Sequence, residues 1–239
     1  MSGPAGSSTW FGLDEYQITH SVRFEDGSFH LSPTHMHRTP AADGNLDKFT
    51  FSAWVKLTEV RAGTMPLFAA GTDGSNYSRI TFISSNKLTF HIYDGSNFLA
   101  SYKTVGNFGA WYHFVVAVDT TQSTNTNRVK LYVNGTLQSV LGGGDLIHPD
   151  QNQDTHFNDA TYKNWLGSEP GGDGAYSGYM AEVNYIDGAQ LAPTVFGESD
   201  PTYNHWKPIE YTGTYGTNGF YLDFKDASNL GNVQDGLLT

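Results

Sequence analysis

Residues 110–135 read AWYHFVVAVDTTQSTNTNRVKLYVNG, and this stretch decides the fold. Two runs, Trp111 to Val118 and Val129 to Val133, are built of β-branched and aromatic residues and flank a polar loop from Asp119 to Arg128. Each run ends in turn formers, Asp119 for the first and Asn134-Gly135 for the second, so the pattern predicts two paired strands. Side chains alternate between the faces of a strand, which puts Tyr112, Phe114, Val116 and Val118 on one side of the first run. Trp111, His113, Val115 and Ala117 take the other side. Both faces are largely apolar, which predicts a strand covered on both. In the second run Val129, Leu131 and Val133 share a face, while Lys130, Tyr132 and Asn134 share a wetter one.

Outward from this hairpin the same period of two recurs. In KFTFSAWVKL (48–57) Phe49, Phe51, Ala53, Val55 and Leu57 face one side, and Trp54 falls on the other with Lys48, Thr50, Ser52 and Lys56. MPLFAAG (65–71), YSRITFIS (77–84), KLTFHIYD (87–94), FLASYK (98–103) and NWLG (164–167) read as further strands, as do ITHSVRF (18–24), SFHLS (28–32) and GFYLDF (219–224). YSGYMAEVNYIDG (176–188) is expected to alternate, with Tyr179, Ala181, Val183 and Tyr185 on one face and Met180, Glu182, Asn184 and Ile186 on the other. Asp-Gly-Ser at Asp26, Asp73 and Asp94 stands where strands should stop, which is turn chemistry. Residues 33–48 and the polar stretch 142–163 read as loops, the second long enough to be functional or mobile. No apolar repeat with a helical period of 3.6 appears. The expectation is an all-β, two-sheet antiparallel β-sandwich of the jelly-roll kind.

The 239 residues contain 27 Gly, 14 Tyr, 15 Phe and no Cys, so disulfides, zinc ribbons and cysteine nucleophiles are excluded. A formal charge of -11 opposes binding to nucleic acid or anionic lipid, both of which are met with Lys and Arg. The N-terminus lacks the basic segment and apolar core of a secretory signal. No apolar run reaches the roughly 18–20 residues of a membrane helix, so no membrane insertion is expected. Residues 1–17 read as an N-terminal arm, 18–195 as the sandwich and 196–239 as an extension too short for a core of its own, packing on the sandwich or on a partner. Trp10 and Phe11 in the arm, with Trp206 and Tyr215 in the extension, are the candidate assembly residues.

In their order and spacing FTFSAWVKL, AWYHFVVAVD, VKLYVNG and LG…YSGYMAEVNYIDGAQLAP resemble the laminin-G-like branch of the concanavalin A-like lectin/glucanase superfamily, from Ile18 to Pro193. VAVDTTQSTNTNRVKLYVNG, EVNYIDGAQLAPTVFGE and WKPIEYTGTYGTNGFYLDF further resemble virion proteins of tailed bacteriophages, such as tail-fibre and particle-surface proteins. The resemblance implies a jelly roll, carbohydrate binding at loops or on a sheet, and a place on the virion exterior. It implies other virion proteins and copies of the same chain as partners, with a host-surface glycan as ligand. Longer members continue into further domains, so a chain ending at Thr239 is expected to be a fibre tip, an appendage subunit or a capsid decoration protein. Two functions follow: a lectin-like attachment module, and a structural subunit that binds only virion proteins.

Sugar binding needs an aromatic face beside hydroxyl-binding polar groups. Tyr77 beside Asp73 and Asn76, Tyr93 beside Asp94, and Tyr176 after Asp173 supply that pairing on expected loops, and His156 and Trp165 flank the long loop. No cofactor is demanded. Calcium, which relatives in the superfamily often bind, would draw on Asp73, Asn76 and Asp173 with loop carbonyls. Catalysis is not expected: glycoside hydrolysis needs two carboxylates about 5–10 Å apart, and no Glu-x-Asp-x-x-Glu pattern occurs. Nor is there a G-x-S-x-G nucleophile elbow. His30, His35 and His37 cluster in sequence on an expected strand end and loop, where His35 and His37 share a side only if the loop is extended, so zinc is not expected.

Overall fold

The computed structural model describes residues 16–25, 34–59, 63–83, 87–94, 109–139, 148–171 and 174–226, and the backbone of 97–104. Trp10, Phe11, His30, Asp173, the expected strand over 28–32 and the loop residues 142–147 lie outside the described residues. The strands in chain order are β1 (Val22–Phe24), β2 (Met36–Arg38), β3 (Lys48–Leu57), β4 (Met65–Asp73), β5 (Asn76–Ile83), β6 (Lys87–Tyr93), β7 (Asn97–Thr104) and β8 (Trp111–Asp119). They continue as β9 (Val129–Val133), β10 (Thr136–Leu137), β11 (Lys163–Leu166), β12 (Gly178–Asp187), β13 (Gly197–Ser199), β14 (Trp206–Pro208) and β15 (Phe220–Leu222). Helix is confined, among the described residues, to 3₁₀ turns at Asn125–Asn127 and Pro193–Val195. No helix among them is long and apolar enough to cross a membrane.

The strands form an all-β sandwich of two antiparallel sheets. One has the order β1-β12-β3-β8-β9-β10, with β15 also on β12; the other runs β2-β11-β4-β5-β6-β7. β13 and β14 make a separate hairpin. The expected inward rows meet between the sheets: Phe49, Phe51, Val55, Phe114, Val116, Val118 and Leu131 from the seven-stranded sheet face Phe68, Ile80, Phe82 and Phe90 from the six-stranded one. The β9–β10 turn at Asn134-Gly135 is a tight hairpin with φ of 46° and 76°, values that suit Asn and Gly.

β8 is covered on both faces. Its outward Val115 and Ala117 join Ile186 and Phe196 in a second apolar cluster, capped by Leu191, Val195, Tyr211 and Tyr215. The chain after β12 therefore lies across the outside of the seven-stranded sheet.

Three expectations are corrected. The stretch 33–48 contains an edge strand, β2, paired with β11. The strand expected from Ile18 begins only at Val22. In β12, Met180, Val183 and Tyr185 all face the core, against simple alternation. A β-bulge between Ala181 and Asn184 shifts the phase, with Glu182 at φ +48°. The bulge falls where the outer neighbour of β12 changes, from β1 along Gly178–Met180 to β15 along Val183–Tyr185.

At the end of β12 the buried Asp187 ties three loops together. Its Oδ1 accepts from the backbone N–H of Asn45 (2.9 Å) and the Asn158 amide (3.0 Å), and its Oδ2 accepts from the backbone N–H of Asn218 (3.0 Å). The knot sets Phe157 into the core, stacked 4.8 Å from Phe68. The described part of the long loop is thereby a built element. Replacing Asp187 with Ala leaves three donors without this acceptor, at roughly 1–3 kcal/mol for each buried group left unsatisfied. The expected loss is about 3 kcal/mol or more, read as a lower urea midpoint at unchanged m-value. A loss under about 1 kcal/mol would show that the loops hold without the carboxylate.

Candidate functional site

Several expected ligand residues gather at one end of the six-stranded sheet, and most are engaged with one another there. Asp73 sits at the β4–β5 turn, where its Oδ1 accepts from the backbone N–H (2.7 Å) and hydroxyl (2.6 Å) of Ser75. Those bonds, the hydroxyl first, hold its carboxyl below the ordinary value. The Asn76 carbonyl pairs with His156 Nε2 at 2.7 Å, and its amide donates to the Tyr162 hydroxyl at 3.2 Å. The His156 backbone N–H donates to Ser78 Oγ at 3.0 Å, so the hydroxyl donates in turn to His156 Nδ1 at 2.9 Å. Burial pushes the His156 imidazole down, while Asp94 at the end of β6 and Asp159 pull it up.

The aromatics of this sheet are little exposed. Tyr77 pairs across strands with Tyr93, rings 5.9 Å apart, and its hydroxyl lies 3.1 Å from His91 Nδ1. The Arg79 guanidinium covers the Tyr77 ring at 4.4 Å and pairs with Glu169 at 2.6 Å. Tyr93 is half-buried. Trp165, 8% exposed, lies under His35 and His37, with ring centroids at 5.1 and 4.8 Å. Tyr176 is fully buried against Phe24 and donates its hydroxyl to Lys56 O at 2.9 Å, so no sugar can stack on it. The Asn76 side chain is engaged at both its carbonyl and its amide, while the bonds to Asp73 fall on Oδ1. No cluster of three or more His, Asp or Glu side chains among the described residues could hold a metal ion.

The expected assembly residues of the extension turn inward. Trp206 stacks on His113, and a β-carbon at Gly135 or Gly197 would overlap its ring. Its indole N–H only donates, so His113 Nδ1 accepts it (3.0 Å) and Nε2 carries the proton toward Ser52 Oγ (2.8 Å). Tyr215 packs on the outer apolar cluster and donates to Asn184 Oδ1 at 2.7 Å. Both side chains fasten the extension to its own sandwich. The Ser52–His113 and Ser78–His156 pairs are buried, out of reach of a substrate.

The open site lies on the outside of the seven-stranded sheet. A groove of about 660 Å³ runs between the segment Tyr16–Ser21, the outward side chains of Trp54 (β3) and Trp111 (β8), and the β13–β14 hairpin. Trp111 is 38% and Tyr203 77% exposed, while His20, Asp200, His205 and Lys207 add polar groups to the lining. Asp200 builds the hairpin tip. Its Oδ1 accepts the backbone N–H groups of Thr202 and Tyr203, each at 2.8 Å, which hold its carboxyl below the ordinary value. Lys207 lies 3.6 Å from Asp200 and 3.4 Å from Glu198.

Sequence reasoning missed this groove because its walls come from stretches more than 30 residues apart. One signal was available: Trp54 and Trp111 both fall on the side of their strands turned away from the core. Beneath the groove, burial pushes the His113 imidazole down to about 3. The unfolded chain takes up a proton below about 6.5 and the folded one does not, so stability falls as pH drops from 6.5 toward 3. By pH 4 the loss is about 3 kcal/mol. Urea unfolding at pH 7 and pH 4 is expected to show that much less acid sensitivity in His113→Gln; parallel losses would mean that the folded imidazole takes up the proton.

Residues 34–196 match the family model described as the concanavalin A-like lectin/glucanases superfamily. No curated protein sequence matches the chain. Among solved structures the fold is similar to a Bacteroides ovatus protein proposed to bind carbohydrate, at 15% identity over 93% of this chain and 57% of that one, with a TM-score of 0.54. It is similar to the native heptameric SAP-like pentraxin of Limulus polyphemus, at 16% identity over 72% of this chain and 77% of that one, with a TM-score of 0.50. Tailspike protein 2 of an Escherichia coli bacteriophage shares 16% identity over 73% of this chain and 23% of that one, with a TM-score of 0.48. At these identities the likeness is one of fold. With a family match that spans most of its length, the chain belongs to the concanavalin A-like lectin/glucanases superfamily.

Proposed function

We propose that this chain is a non-enzymatic carbohydrate-binding module whose ligand lies in the groove between Trp111 and Tyr203. The observation that carries the reading is the groove itself: about 660 Å³, with open aromatic faces on two sides and polar side chains between them. Its volume is in the range of small-ligand sites, and aromatic faces with a few fixed polar groups suit the apolar face and the hydroxyls of a sugar ring. Family membership and the carbohydrate-binding assignment of the Bacteroides ovatus relative in fold support it.

A glycosidase reading has less support. The groove carboxylate Asp200 is engaged by two backbone N–H groups. Glu182 is enclosed by Tyr16 and Tyr221 and lies outside the groove lining. The sequence likeness to virion proteins of tailed bacteriophages extends the proposal: the module sits on a particle exterior, in several copies, and attaches to host-surface glycans. Repetition matters there, because multivalent display raises a weak single-site affinity by about 10²–10⁴-fold.

The test is a glycan array probed with the protein displayed as a multimer, followed by calorimetry on the best ligand. Trp111→Ala and Tyr203→Ala are each expected to weaken binding about tenfold, near 1.4 kcal/mol. Tyr93→Ala, on the other sheet, leaves it unchanged. A chelator also leaves it unchanged, since the groove supplies one carboxylate and that one is already bonded. Equal affinity in both groove variants would move the site elsewhere. Absence of any bound glycan, even for the multimer, would leave the structural-subunit reading.

A further inference from the structure

We propose that Glu182 is the positioning residue of the groove, its carboxylate clasping the phenols of Tyr16 and Tyr221 so that the segment Tyr16–Ser21 stands as a wall. Tyr16 and Tyr221 both donate to Glu182 Oε2, Tyr221 at 2.8 Å, and the two phenol oxygens lie 3.1 Å apart. One oxygen thus joins three places in the chain: the lead-in to β1, the bulge of β12, and β15.

The backbone at Glu182 is what brings this about. φ is +48° in the bulge, a conformation that a non-glycine residue adopts only where its surroundings impose it. The bulge sits in the gap between β1 and β15 along one edge of β12, so the side chain meets residues from both flanks. Burial raises the Glu182 carboxyl, while the two phenols oppose that by hydrogen bonding. Asp223 and Lys225 act on it from beyond β15, with opposite signs. Burial also raises both tyrosines, so they remain proton donors at neutral pH.

Among the described residues, the segment 16–21 has no strand pairing, and its side-chain hydrogen bond to the sandwich is the one Tyr16 donates to Glu182. Yet this segment contributes Tyr16, Gln17, Ile18, Thr19, His20 and Ser21 to the groove lining. The clasp rests on this geometry alone; its bearing on ligand affinity rests on the groove being the glycan site.

Chymotrypsin separates the two questions. Cleavage after Tyr16 is expected to be at least tenfold faster in Glu182→Ala than in the wild type, with cleavage after the exposed Tyr203 unchanged. Glu182→Gln keeps an oxygen acceptor and restores slow cleavage. Tyr16→Phe leaves the bulge intact, serves if the Ala variant does not fold, and is cleaved at position 16 as fast as the Ala variant. Dissociation constants for the best-bound glycan follow the same order, weakened at least fivefold in Glu182→Ala and Tyr16→Phe and recovered in Glu182→Gln. Equal cleavage at Tyr16 in all variants, or faster cleavage at Tyr16 and Tyr203 together, overturns the clasp. Faster cleavage at Tyr16 with unchanged affinity overturns the positioning role. If the wild type binds no glycan, the proposed function falls, and cleavage alone decides the clasp.

Discussion

Asp187 closes β12 with both carboxylate oxygens filled by donors from loops that the sequence sets far apart: Asn45, Asn158 and Asn218. The choice of residue follows from the donor count. Three N–H groups converge on the site and none accepts, so the side chain must be acceptor-only. An asparagine there would turn an N–H₂ toward one of the incoming donors. The surrounding loops cross-link in turn, through Gly44 N–H to Asn158 O (2.9 Å), the Asn158 amide to Asn45 O (2.8 Å) and the Asn218 amide to Ala42 O (2.9 Å). Arg38 of the edge strand β2 donates to Asn218 O. The long loop, the edge of the six-stranded sheet and the return of the chain into β15 are thus fixed at one point.

That point also explains the doubly covered sheet. From Asp187 the chain must come back to Asn218, and the path between them crosses the outward face of β12, β3 and β8. The apolar residues of that path, Leu191, Val195, Phe196, Tyr211 and Tyr215, bury Val115, Ala117 and Ile186. Cover is complete over Val115 and Ala117, reaches the buried Trp54, and stops short of Trp111, while Trp206 on His113 fastens the β13–β14 hairpin beside them. The groove is the space left between a covering segment and the aromatic end of the sheet it covers.

The sequence made the inward rows legible because each is a plain period-two pattern: Phe49 to Leu57 on β3, Tyr112 to Val118 on β8, Val129 to Val133 on β9. The turn at Asn134-Gly135 was equally plain, since few other pairs accept two positive φ values. What stayed hidden depends on partners. The bulge at Glu182 leaves no mark in composition, because Glu is not a residue that signals a positive φ. Phe157 lies in the stretch 142–163 that reads as a loop, and the Asp187 knot beside it accompanies its place in the core. Tyr77 beside Asn76, and His156 and Trp165 flanking the long loop, were read as open ligand groups, but a polar group beside an aromatic reads the same whether it is open or already bonded. Trp206 and Tyr215 read as partner-seeking for the same reason, while the surface they meet is the chain's own.

The two outer faces differ in what a ligand would have to undo. On the six-stranded sheet Arg79 is held between Glu169 at 2.6 Å and the Tyr77 ring at 4.4 Å, and the Tyr77 hydroxyl lies 3.1 Å from His91 Nδ1. A sugar entering there exchanges existing hydrogen bonds for new ones, each worth only about 0.5–1.5 kcal/mol net, and begins at a loss. In the groove, Trp111 and Tyr203 keep exposed ring surface, and a ligand there displaces solvent from it. The Tyr203 loop is already fixed by the two backbone bonds to Asp200, so little conformational freedom is lost on binding. This contrast supports placing the proposed glycan site on the side of the sandwich where the aromatics are open and their supports are already satisfied.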